Sequence, residues 1–322
     1  MRIVALEEHF ILPWEEQSLP PGAHRGNDRE KLLGFDVISA LLDLGEARIA
    51  AMDAAAIDLQ VISHNQPGCQ AILDPVRALA VAREANDALH TAITAHPTRF
   101  AGFAALPTAD PAAAARELER TVTTLGFKGA MINGHTGGHF LDERRYWDIF
   151  ACAHALGVPI YLHPSLPHPA VHKAYFEGYA ELALAAWGFG IDTGAHFLRL
   201  VFAGVFDAFP TLTVILGHLG EGLPFMLHRI NDQTQLAARR RGLKKAPASY
   251  LTENLVVTCS GNFSAAAFQC TVMTLGIDNV LFSVDWPYES NTGAVAFLQR
   301  QLLGPLDLAK VAHGNAERVL QL

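Results

Sequence analysis

The stretch DERRYWDIFACAHALGVPIYLH, residues 142–163, contains one complete passage from helix to strand and sets the frame for the rest of the chain. Residues 142–156 place apolar side chains at helical spacing, and Gly157 supplies the left-handed position that ends a helix. Val-Pro-Ile-Tyr-Leu then reads as a short strand covered on both faces, and it stops on His163. Working outward, seven further segments have the same character: 3–9, 59–64, 100–106, 127–133, 211–218, 255–260 and 280–285. Helical stretches separate them, and two of these, 74–95 and 110–125, open on Asp-Pro, an N-cap followed by a proline in the first turn. Eight strands alternating with helices predict an α/β protein, a (β/α)8 TIM barrel.

The length of 322 residues suits one such barrel, so residues 1–322 read as a single domain. Two segments exceed a simple connection and read as inserted loops over the carboxyl-terminal mouth. One is the Pro/Gly-rich 17–36; the other, 165–191, carries Tyr175, Phe176, Tyr179, Trp187 and Phe189 and follows the fifth strand. The net charge of −8 is spread through the chain with no basic stripe, which argues against nucleic acid as a partner. Cys69, Cys152, Cys259 and Cys270 lack CxxC spacing and read as reduced thiols, pointing to the cytoplasm. The acidic pair in MRIVALEEHF interrupts any signal-peptide core, and no apolar run reaches the ~20 residues of a membrane helix.

In a parallel barrel the carboxyl ends of the strands converge on one mouth, so polar residues that close apolar strands are candidates for chemistry. Glu7 and His9 stand two apart on the first strand and point to one side of the sheet. His163, His218 and Asp285 each close a later strand. Imidazole nitrogens with carboxylate oxygens suit a divalent metal, Zn2+ or the harder Mn2+, and Glu7, His9, His163 and Asp285 form the expected ligand set. His90, His96, His154 and His313 fall in helical contexts and receive no chemistry. His64, His135 and His139 lie near the mouth with no role assigned.

Five motifs carry a resemblance: Ala-Leu-Glu-Glu-His-Phe (5–10), Leu-Gly-Phe-Lys-Gly-Ala-Met-Ile-Asn-Gly (125–134), Tyr-Leu-His-Pro (161–164), Gly-His-Leu-Gly-Glu-Gly-Leu-Pro (217–224) and Ser-Val-Asp-Trp-Pro-Tyr-Glu (283–289). In that order, across nearly the whole chain, they resemble the nonoxidative hydroxybenzoate decarboxylases of the amidohydrolase superfamily, the γ-resorcylate and 2,3-dihydroxybenzoate type. The resemblance implies an amidohydrolase-like barrel with Glu7, His9, His163 and Asp285 on one metal; the fourth strand, ending Ala-Met-Ile-Asn-Gly, offers no Lys of the kind that becomes a carbamylated bridge between two. It implies a small aromatic carboxylic acid as substrate and a homodimer or homotetramer as the assembly.

Expelling CO2 from an aromatic ring leaves an aryl anion of very high energy unless a proton first reaches the carboxylate-bearing carbon. An ortho-hydroxybenzoate chelating the metal brings that carbon beside Asp285, the expected acid, with His218 to share its proton. Glu221 reads either as a support for the His218 imidazole or as a helix-start carboxylate, and Arg229 either as a substrate contact or as a surface ion pair. The resemblance fails at His228, where family members carry Trp, and over 165–191, which leaves the ring-substitution pattern open. The competing enzymatic reading is a metal-dependent hydrolase of a lactone or amide on the same barrel; a third is a metal-stabilised binding protein.

Overall fold

Among the described residues nine short strands, all parallel, follow one another: β1 (Val4–Phe10), β2 (Leu59–His64), β3 (Phe100–Gly102), β4 (Ala104–Ala105), β5 (Ala130–Asn133), β6 (Ile160–His163), β7 (Val214–Leu216), β8 (Leu255–Thr258) and β9 (Val280–Leu281). They pair in the order β1-β2-β3 and β4-β5-β6-β7-β8-β9. The structure is a computed structural model and describes residues 1–18 and 33–322; most of the expected 17–36 insertion lies outside the described residues.

β3 and β4 are the two halves of one expected strand, divided at Phe103. The Phe103 amide donates to Ile62 O at 2.9 Å and the next amide, Ala104, to Gly129 O at 2.9 Å, so pairing passes there from β2 to β5. The other seam joins the last strand to the first: Glu8 bridges Trp286 in parallel, and His9 N donates to Trp286 O at 2.8 Å. With both seams counted, the eight expected strand segments make the (β/α)8 circuit.

Sequence logic explains the helices. Asp74 accepts from Arg77 N and Asp110 from Ala113 N, capping the helices Pro75–Ala95 and Pro111–Thr123 as expected. The helix expected over 142–156 starts later: a single 3-10 turn, Arg144–Tyr146, leads into Trp147–Leu156, and Gly157 closes it at φ 67°.

Side chains such as Val4, Leu6, Val61, Phe103, Met131 and Tyr161 fill the barrel interior, while a second, larger cluster packs strands against helices. β1 does not alternate cleanly. Its register against β2 advances three residues (Ala5 to Glu8) for two on the partner (Gln60 to Ile62), a bulge. Leu6 therefore stays in the interior while Glu7 and His9 both reach the mouth above it. Glu8 turns toward the helices, near the buried Arg48 of helix Glu46–Ala54. The Arg48 guanidinium donates to His9 O (2.6 Å), Ala40 O (3.1 Å), Asp43 O (2.7 Å) and Gln60 Oε1 (3.3 Å).

Candidate metal centre

The four expected ligands meet at the mouth. One atom from each of Glu7, His9, His163 and Asp285 lies within 4.8 Å of all the others, the one such group among the described residues. His9 Nε2 is 3.2 Å from Asp285 Oδ1, and His163 Nε2 is 3.3 Å from Glu7 Oε1. Glu7 Oε1 and His9 Nε2 are fully buried with no hydrogen-bond partner. A fully buried and a half-buried carboxylate set together, each beside an imidazole, leave an unmet electrostatic demand that a divalent cation satisfies. Burial, with His9 beside it, pushes His163 well below the usual imidazole range, the neutral form a ligand needs. Burial also raises the Glu7 carboxyl. The residues fit a divalent metal.

The second oxygen of Glu7 is engaged quite differently. Glu7 Oε2 accepts from the hydroxyls of Tyr161 and Ser260, and from Thr258 Oγ1 at 3.3 Å. Tyr161 lies two before His163 on β6; Thr258 and Ser260 alternate on and just past β8, so all three face inward beneath the ligands. His9 Nδ1 lies 3.3 Å from Ser63 Oγ, which fixes the ring behind its metal-facing nitrogen. Gly217 closes the floor: a Cβ there would stand 2.6 and 2.9 Å from the two Glu7 oxygens.

His218 and Asp285 sit past the ends of β7 and β9, beyond the paired strands, contrary to the expectation that they close them. Both have left-handed backbones, φ 52° and 79°, as do Leu219 and Glu221, and a ladder cannot continue through such residues. Side chains hold the departing backbone instead. Glu8 accepts from Val284 N and Trp286 N, both at 3.0 Å, while the amides of Leu6 (3.3 Å) and Glu7 (2.6 Å) donate to Ser283 Oγ. Asp285 O accepts from Tyr288 N at 2.7 Å and Glu289 N at 3.0 Å. Strain of about 1–3 kcal/mol per such residue is thus held at the mouth of the site.

His218 is the hub of the charge arrangement. Its Nδ1 is 2.7 Å from Glu221 Oε1, and its Nε2 is 3.9 Å from both Glu7 Oε1 and Asp285 Oδ2. Burial works against a charged imidazole, but the carboxylates of Glu221, Glu7 and Asp285 outweigh it and raise His218 well above the usual range. Asp285 goes the other way: despite burial, the imidazoles of His218 and His9 hold it well below the usual carboxylate range. Glu221 lies within hydrogen-bonding distance of the His218 ring. Gly261, at φ 61°, leaves the space in which a Cβ would stand 3.0 Å from His218 Cδ2.

Other expected positions lie elsewhere. Arg229 and His228 are exposed on the helix Leu223–Arg240, and Arg229 has no partner among the described residues. His64 Nε2 is 2.8 Å from Glu15 Oε2, tying β2 to the turn Pro13–Ser18; His139 pairs with Glu143 at the surface at 2.9 Å. His135 packs against His168, with ring centroids 5.6 Å apart. In the 165–191 insertion Tyr175, Tyr179 and Trp187 are exposed rather than lining a pocket, and Phe176 is buried. Sequence reading missed Tyr161, Thr258, Ser63, Ser283 and Glu8. The period-two spacing to His163 marks Tyr161, but nothing local marks the rest.

A parallel barrel with two carboxylates and three imidazoles gathered at its carboxyl-terminal mouth defines a metal-dependent catalytic centre. Residues 37–322 match the amidohydrolase family, and the chain belongs to that family. It is 38% identical over 327 residues to the gamma-resorcylate decarboxylase of Polaromonas sp. (strain JS666 / ATCC BAA-500), covering 99% of this chain and 98% of that one. A 2,6-dihydroxybenzoate decarboxylase solved in complex with 2,6-dihydroxybenzoate superposes with a TM-score of 0.92 at 36% identity, covering 100% and 99% of the two chains. The Polaromonas dihydroxybenzoic acid decarboxylase, solved with manganese and the inhibitor 2-nitroresorcinol, gives 0.91 at 37% identity, covering 100% and 97%.

Proposed function

We propose that this protein catalyses the metal-dependent, nonoxidative decarboxylation of an ortho-hydroxybenzoate, with 2,6-dihydroxybenzoate (γ-resorcylate) or 2,3-dihydroxybenzoate as the substrate type. The observation that carries the reading is geometric: His218, with Nδ1 2.7 Å from Glu221 Oε1 and Nε2 3.9 Å from Asp285 Oδ2, stands beside the ligand cluster. Ring protonation requires an acid at the site, and the His218–Asp285 pair is placed to supply one. A divalent ion on Glu7, His9, His163 and Asp285, Mn2+ or Zn2+, would supply a Lewis acid for the substrate carboxylate and phenolic oxygen.

His218 holds the proton and Asp285 passes it to the carboxylate-bearing carbon. The carbon–carbon bond then breaks, its electron pair returns to the ring, and CO2 leaves; His218 regains a proton from solvent. Glu221 keeps the imidazole aimed and charged. Arg229 is assigned to a substrate oxygen on the family resemblance alone.

Residues 1–322 are read as one domain, supported by a continuous core between barrel and helices. A homodimer or homotetramer is supported by the exposed Tyr175, Tyr179 and Trp187 on the insertion, and light scattering tests it. Four free cysteines support a cytoplasmic setting, and no described helix is long and apolar enough to cross a membrane.

The test is loss of ultraviolet absorbance with CO2 release from Mn2+-loaded protein given a panel of 2-hydroxybenzoates. Turnover of 2,6- or 2,3-dihydroxybenzoate is expected. Silence across the panel, together with hydrolysis of a lactone or amide, would overturn the reading.

A further inference from the structure

The carboxylate of Glu7 is asymmetric in a way that metal binding alone does not require. Oε1 faces His163 and the ligand cluster without a hydrogen bond, whereas Oε2 takes hydroxyl donors from Tyr161, Thr258 and Ser260. The three hydroxyls are clustered: Tyr161 OH is 2.9 Å and Ser260 Oγ 3.0 Å from Thr258 Oγ1. Gly217 packs against both carboxylate oxygens.

We infer that Tyr161, Thr258 and Ser260 restrict Glu7 to a single metal-binding oxygen, Oε1, and thereby reserve room on the ion for two substrate oxygens. The four protein ligands offer one atom each, which leaves a six-coordinate ion such as Mn2+ two further positions. An ortho-hydroxy acid bound through carboxylate and phenolic oxygens fills both. A carboxylate free to turn and bind through both oxygens would take one of them. The three hydroxyls oppose that turn by making Oε2 more stable where it is, each such charge-assisted bond being stronger than a neutral one. They are positioning residues, since none lies among the ligand atoms. The part concerning substrate rests on the decarboxylase reading; the part concerning Glu7 does not.

The experiment compares wild type with Tyr161→Phe and with Tyr161→Phe/Thr258→Val, changes that remove hydroxyls and nearly preserve shape. The readout is water-proton relaxivity per bound Mn2+, which counts exchangeable water ligands, alongside Mn2+ affinity and binding of 2,6-dihydroxybenzoate. In the double variant relaxivity is expected to fall by about half, from two water positions to one, with 2,6-dihydroxybenzoate bound about tenfold more weakly or worse. A purely orienting role predicts instead a loss of about 10–100-fold in Mn2+ affinity with relaxivity per bound ion unchanged, and that result overturns the inference. Halved relaxivity with unchanged 2,6-dihydroxybenzoate binding overturns the reserved-position claim. Wild type that decarboxylates no hydroxybenzoate counts against the proposed function, while relaxivity still decides the role of the hydroxyls.

Discussion

Replacing Gly217 with alanine adds one methyl group to the floor of the metal site. The new Cβ would stand 2.6 Å from Glu7 Oε2, 2.9 Å from Oε1 and 3.0 Å from Ser260 Oγ, where ordinary contact begins at 3.4 Å. Reaching that distance demands a shift of about 0.8 Å in the Glu7 carboxylate, and a displacement near 1 Å at a reacting centre costs on the order of 10²-fold in rate. The backbone at Gly217 is not left-handed, so it carries no such penalty for alanine, and the methyl meets side-chain atoms rather than main chain. Gly217→Ala is therefore expected to fold, to bind Mn2+ about 10–100-fold more weakly, and to turn over about 10²-fold more slowly when fully loaded. Metal titration followed by steady-state kinetics at saturating Mn2+ measures both, with circular dichroism to establish folding. A folded variant with wild-type metal affinity and kcat within twofold of wild type would refute the claim that the Glu7 position is set to better than an ångström.

Asp285→Asn removes the acid; it should leave circular dichroism unchanged and lower kcat by about 10²–10⁴-fold or more, and substantial turnover would remove Asp285 from that role. Glu221→Gln withdraws the carboxylate that chiefly offsets burial at His218, so the alkaline limb of the kcat–pH profile should move to lower pH. The sign for stability follows: a raised folded-state pKa at His218 stabilises the protein below the ordinary imidazole range, and the gain is lost as pH rises through the folded value. Glu221→Gln should flatten that part of the urea-stability profile. Arg48→Met strands the carbonyls of His9, Ala40 and Asp43, and should cost about 3–5 kcal/mol in urea unfolding. Chelation should lower the melting temperature and added Mn2+ restore it, because ion binding to the native site alone shifts the equilibrium.

The architecture was legible because helix and strand periods differ and the punctuation is strong: Asp74-Pro75, Asp110-Pro111 and Gly157 mark boundaries that the structure keeps. The mouth cluster was legible because a barrel sends its strand ends to one place, which singled out Glu7, His9, His163 and Asp285, with His218 beside them. Thr258 and Ser260 were not, since hydroxyl side chains are ordinary in strands and gain meaning only when a carboxylate lies above them. Glu8 was hidden by the bulge on β1, which depends on pairing with β2 and leaves no local mark. The aromatic content of 165–191 suggested a pocket wall, yet Tyr175, Tyr179 and Trp187 face outward from short helical pieces. Apolar character alone does not say which surface will cover it.

The seam between Glu8 and Trp286 joins residues 278 positions apart. Glu7 and His9 stand at the start of the chain, while Asp285 enters only when the last strand docks against the first. During synthesis the earliest segment to emerge must wait for nearly the whole remainder before its ligand set is complete. Contacts of such long sequence separation form late, since the closure entropy must be met first. Tight metal capture is thus a report that the circuit has closed, and a chain truncated before residue 285 should fail to bind the ion tightly even where its earlier strands have formed.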